Sequence, residues 1–177
     1  KKILFFLITI GIVGNFIPFY LISWSEQYIP SSTAGMLMAI GPIITLLMSH
    51  FLTKNEKFTL MKFISIFIGL IGVLFIFNIN PINNAFSYNY INLSAKLMVI
   101  LAAFGYMFSN ILAYENLSQI DSFSITTFAT TFGAIFSIPF LLIDLSLNNF
   151  YTTFSYNSIY AILYLGIFPT AIAFQFR

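Results

Sequence analysis

Ile29–Leu52 reads IPSSTAGMLMAIGPIITLLMSHFL, Thr53–Lys62 reads TKNEKFTLMK, and Phe63–Phe77 reads FISIFIGLIGVLFIF. Two apolar runs thus flank one short basic loop. A hydrocarbon core about 30 Å thick is crossed by roughly 20 helical residues rising 1.5 Å each. Both runs reach that length, the second with Lys62 in its first turns and its ammonium snorkelled to the interface. A segment surrounded by lipid must satisfy its own backbone hydrogen bonds, so both runs are expected to be helices. The loop carries Lys54 and Lys57, and short Lys-rich loops stay cytoplasmic. Pro42 falls near the middle of the first run, where it removes a backbone bond.

The composition agrees. Of 177 residues, 59% are hydrophobic, 19% aromatic and only 7% charged. A soluble domain carries about 25% charged residues, so the solvent of this chain is lipid. A net charge of +2 is too small to call for a nucleic-acid partner. With no cysteine there is no disulfide, thiol chemistry or Cys-ligated metal. The chain begins at Lys1 rather than Met and stops at Arg177 beside an apolar run, as expected of a piece of something longer. The first apolar run is too long for a signal peptide and lacks a small-residue cleavage site.

Six helices are expected: Ile3–Trp24, Ser31–Leu52, Leu60–Phe77, Ala95–Tyr114, Ser122–Ile143 and Asn157–Phe176. Alternating them from the basic loop puts Lys1, Lys2, Lys54, Lys57, Lys62 and Arg177 inside and only Lys96 outside. That asymmetry supports the alternation. The expected fold is all-α, a polytopic membrane bundle. Gly11–Phe19 can also be laid on Gly166–Phe174, with identities at Gly11/Gly166, Ile12/Ile167, Ile17/Ile172 and Phe19/Phe174. The two helices run in opposite directions, as in the inverted repeats of many secondary transporters.

Several stretches are similar to a known family. They are Gly14-Asn15-Phe16-Ile17-Pro18-Phe19, Tyr28-Ile29-Pro30-Ser31-Ser32-Thr33-Ala34, Gly41-Pro42, Asn55-Glu56-Lys57-Phe58-Thr59, Gly69-Leu70-Ile71-Gly72-Val73 and Tyr164–Ala173. In order and spacing they resemble an EamA-type member of the drug/metabolite transporter superfamily. The resemblance implies ten helices in two inverted five-helix repeats, of which the six here match the third to the eighth. Residues 1–79 would then close the first repeat, 80–94 form an external linker, and 95–177 open the second. It further implies carriage of a small metabolite, amino-acid-like or drug-like, by alternating access, with export the commoner direction. The location implied is a bacterial cytoplasmic (inner) membrane. No cofactor is implied. The partners are the lipid bilayer and a small-molecule substrate, and a coupling proton and a homodimer stay open.

Depth picks out the candidate residues. At 1.5 Å per residue, Asn15 lies about 18 Å into its helix, Pro42 about 15 Å, Tyr106 about 16 Å and Pro169-Thr170 about 17 Å, all near the midplane. Pro18 would free the carbonyl of Gly14, and Pro42 that of Met38, and lipid can satisfy neither. Interrupted helices at the midplane mark transport sites. The expected substrate pathway is therefore Asn15, Pro18, Met38, Pro42, Tyr106, Asn110 and Thr170, with Glu26 a candidate gate or coupling carboxylate. Each has a plain alternative. The prolines can be packing kinks, Asn15 can make an interhelical hydrogen bond, and Glu26 can be a solvated helix end. Thr126, Thr127, Thr130 and Thr131 are expected to bond back to the backbone. Ser65, Gly69 and Gly72 read as a packing stripe.

An enzyme fits poorly. His50 is the single histidine, short of a usual zinc site, and no Gly-x-Ser-x-Gly, His-Glu-x-x-His or phosphate-binding glycine loop occurs. The alternative to a carrier is a non-transporting membrane scaffold or assembly subunit, its helices packed on small residues with no water path.

Overall fold

The computed structural model describes residues 2–53, 59–76, 90–147, 156–166 and 168. Among them the chain is helical. Helix α1 (Lys2–Gly11), a π turn (Ile12–Phe16) and α2 (Ile17–Ser25) make one continuous apolar span of 24 residues. Helices α3 (Ser31–Met38) and α4 (Gly41–Leu52) make a second span of 22, interrupted at Ala39-Ile40. Then come α5 (Leu60–Ile76), α6 (Tyr90–Asn116), α7 (Ser122–Leu147) and α8 (Tyr156–Leu165). Four spans are long and apolar enough to cross a membrane: Lys2–Ser25, Ser31–Leu52, Tyr90–Asn116 and Ser122–Ile143. The chain is a multi-pass helical membrane protein. Helix α5, at 17 residues, is shorter. Of the expected sixth helix, the part beyond Phe168, including Thr170, lies outside the described residues.

Two boundaries differ from the reading of the sequence by four residues or more, and α7 is one, running to Leu147 rather than ending at Ile143. Helix α6 begins at Tyr90 rather than Ala95. Ser94, which looked like loop, turns its hydroxyl back to the Ile91 carbonyl at 2.8 Å and stays in the helix. The 27 residues of α6 span about 40 Å, beyond a hydrocarbon core of about 30 Å. Lys96 consequently sits well inside the helix and is only 8% exposed, where the sequence suggested a helix end.

Between helices in lipid there is no hydrophobic drive to associate. Close packing over small side chains takes its place. The α1–α2 span lies between α6 and α7 and touches both, and each side is fitted by glycine. On the α7 side, a Cβ on Gly11 would meet the Ala129 carbonyl and the Phe132 Cβ at 2.8 Å, and one on Gly133 would meet Asn15 Cβ at 3.1 Å. On the α6 side, a Cβ on Gly14 would collide with the Ser109 side chain, and one on Gly105 would lie 2.8 Å from the Val13 carbonyl. Two small cores finish the packing. Leu7 and Ile10 meet Leu117 and Ala129, while Ile29 and Ala34 meet Ala95 and Val99. Helix α5 touches α4 and turns residues such as Met61, 74% exposed, outward. A Cβ on Gly69 or Gly72 would meet nothing within 4 Å.

Candidate functional site

Two cavities flank the middle of the α1–α2 span, and Asn15 lines both. Its place there follows from the backbone. Pro18 has no N–H and its ring crowds the carbonyl four residues back. The chain answers with the π turn, in which the Ile17 N–H donates to the Ile12 carbonyl, five residues earlier. That register moves the unmatched acceptor. Ile17 does not serve Val13, and Pro18, the π-register donor for Val13, has no hydrogen to give. The carbonyl freed by the π turn is therefore that of Val13, and it faces the bare Cα of Gly105. The sequence rule, counted in the α register, gave Gly14, and the π turn adds Val13.

The first cavity, about 450 Å³, runs from Gly14 and Asn15 past Tyr106, Ser109 and Asn110 to the α6–α7 connection at Leu117–Ser122. The second, about 780 Å³, runs the opposite way, from Asn15 past Phe19 and Tyr20 to Trp24, Gln27 and Ile143. It is walled by rings: Phe16 and Phe140 lie 5.0 Å apart by centroid, Tyr20 and Phe140 6.0 Å. Tyr106 joins the two, lining the first cavity while its ring meets Phe19 of the second edge-on at 6.1 Å.

Polar groups in the walls fall into two kinds. Three wall hydroxyls are taken by the backbone: Ser109 donates to Tyr106 at 2.9 Å, Thr130 to Thr126 at 2.8 Å and Ser137 to Ala134 at 2.7 Å. Thr127 and Thr131 do likewise, to Phe123 at 2.8 Å and Thr127 at 2.7 Å. The carboxamides of Asn15 and Asn110 are different. Among the described residues neither makes a hydrogen bond to protein, and neither is sealed from the cavity. No charged side chain occurs among the described lining residues of either cavity. At the mouth of the first, Asp121 caps α7, accepting from the Ser124 N–H at 2.9 Å. That bond holds its carboxyl below the usual range.

The expected pathway residues separate into groups. Asn15, Tyr106 and Asn110 come together around the first cavity, and Pro18 is buried beside them, its Cγ 3.2 Å from a Cβ position on Gly105. Met38 and Pro42 do not join them. Met38 packs against the Ile29–Val99 cluster, Pro42 is exposed at the start of α4, and neither lines these two cavities. Glu26 is exposed at the end of α2, next to Gln27 in the second cavity. Thr170 lies outside the described residues. Sequence reasoning missed Gly105 and Gly133, whose value is the close approach of another backbone. It also missed Pro139, inside α7 beside the wall residues Phe140 and Leu141, which lies about 26 Å along its span and so past the midplane depth that picked out the others.

The architecture defines a polytopic membrane protein with two largely apolar cavities that share a polar residue, Asn15, at the middle of a proline-interrupted span. Residues 1–78 match the EamA-like transporter family. It is 25% identical over 154 residues to an uncharacterized transporter of Bacillus subtilis, YoaV, covering 87% of this chain and 50% of that protein. A second uncharacterized transporter of that organism, YetK, is 26% identical over 98% of this chain and 52% of its own length. One from Clostridium kluyveri is 23% identical over 96% and 53%. The chain spans about half the length of these relatives. No solved structure matches it.

Proposed function

We propose that the protein carries a small organic solute across a bacterial cytoplasmic membrane by alternating access, exporting a metabolite. Its two halves, residues 1–79 and 95–177, would belong to two inverted repeats. The observation that carries the reading is that Asn15 is wall to two cavities directed at opposite ends of the same helices. A carrier needs one binding point that meets one side and then the other. Asn15 supplies a carboxamide, donor and acceptor together, with no protein partner among the described residues to displace. Asn110 and Tyr106 add polar contacts on the cytoplasmic side, and Glu26 is assigned to an outer gate.

The chain lacks cysteine, so single thiols can be placed freely. Asn15→Cys, Tyr106→Cys and Ser137→Cys would be treated with a membrane-impermeant thiol reagent from each face of sealed vesicles holding the intact protein. Phe67→Cys and Ile162→Cys, both on exposed apolar positions, serve as lipid-facing controls. The carrier reading expects Asn15→Cys to react from both faces and the controls from neither. If Asn15→Cys reacts from neither face, the midplane is dry and the span is a packing scaffold.

A further inference from the structure

We propose that the π turn at Ile12–Phe16 is a register switch that turns Asn15 from one cavity to the other. The inference deepens the carrier reading but rests on separate observations. Ile17 N–H now donates to the Ile12 carbonyl, while the next carbonyl, that of Val13, has no helical donor. Moving this hydrogen from Ile12 to Val13, with the preceding donor of the turn stepping on by one acceptor in the same way, converts the local register from π to α. The count of hydrogen bonds is unchanged: one acceptor is released and one is filled. Pro18 makes the exchange possible, since an N–H at position 18 would reach the Gly14 carbonyl and hold the α register outright. Each residue of an α-helix turns about 100°, so absorbing the extra residue of a π turn rotates one flank against the other by about that angle. Asn15 lies within the turn that moves.

The surroundings are suited to the rotation. Gly11, Gly14, Gly105 and Gly133 all touch the span within about two turns of the switch. At Gly11 and Gly105 the nearest contact is a carbonyl, of Ala129 and Val13, against bare Cα, while Gly14 and Gly133 leave room for the Ser109 side chain and Asn15 Cβ. The acceptor to be filled, Val13, points at Gly105, so the α register needs no side chain cleared from its path.

The test reads helix rotation directly and does not depend on transport. In the intact protein, with any cysteine outside this chain replaced by serine, spin labels are placed on α1 at Leu4→Cys and on the end of α2 at Glu26→Cys, each paired with Leu101→Cys on α6. All three sites are exposed. Distances are measured in lipid nanodiscs for the parent and for Pro18→Ala, which restores the missing N–H. A label at the outer radius of a helix rotated by about 100° moves on the order of 5 Å or more. One of the two pairs should shift by that amount in Pro18→Ala, toward a single population. Pro18→Gly is the companion variant, restoring the N–H without raising helix propensity. If both pairs keep the parent distances in these variants, the switch is overturned, whatever the thiol labelling says of the carrier. If the distances shift while Asn15→Cys stays unreactive from both faces, the switch stands and the carrier reading falls.

Discussion

Two spans of this protein carry a proline near the midplane, and they break in different ways. At Pro18 the helix never stops. It widens into a π turn, buries the proline, and lies between α6 and α7 with a cavity on either side. At Pro42 the helix ends at Met38 and begins again at Gly41, with Pro42 exposed in the first turn of α4. There Pro42 occupies a position where a missing N–H costs nothing, because the first N–H groups of a helix are without partners anyway. The proline rule identified both interruptions. What surrounds each decides whether it can serve a site.

Overpacking should separate the two regions most strongly. Gly14→Ala places a methyl on the Ser109 side chain, and overpacking of this kind costs about 1–3 kcal/mol. Gly69→Ala, in open space, should gain up to about 1 kcal/mol from helix propensity. Thermal unfolding in detergent should therefore move in opposite directions for the two, and a common sign would break the comparison. Next in size, Pro18→Ala should alter the access of thiols at Tyr106 and Ser137 to the impermeant reagent by tenfold or more, whereas Pro42→Ala should leave it within twofold. Equal effects would mean that Pro42 is also part of the moving element.

Asn15→Leu is predicted to abolish solute counterflow while changing stability by less than about 0.5 kcal/mol, as for substitutions that break no internal contact. A large loss of stability instead would restore the interhelical hydrogen bond considered from the sequence. The smallest effect belongs to Asp121. Its carboxyl is held below the ordinary value by the Ser124 N–H, so the stabilisation is complete above the unfolded carboxylate pKa of about 3.9. It is lost as pH falls through the lower folded value. Melting temperature measured from neutral to acid pH should converge for Asp121→Ala and the parent at the acid end and diverge above it.

The helices were legible because length and hydrophobicity in lipid leave few alternatives. So were the order of spans, both interruptions, and the grouping of Asn15 with Tyr106 and Asn110. Less could be read wherever a residue acts through what lies opposite. Gly105 and Gly133 are single small residues among many, and only the approach of the Val13 carbonyl and Asn15 gives them a role. The stripe of Gly69 and Gly72 shows the reverse: a packing pattern facing open space among the described residues. Lys96 was assigned to a helix end by its charge alone, and α6 continues past it to Tyr90. The Val13 carbonyl could not be found by counting back from Pro18, because the count assumes the register that the proline removes.

With Asn15 as common wall, the layer dividing the two cavities is one side chain and one turn of backbone thick. A carrier with so thin a partition stands close to a leak. Shortening this side chain, as in Asn15→Gly, should let water and small ions pass without turnover. On the proposed carrier reading, the hazard to a cell from shortening this side chain is a dissipated ion gradient.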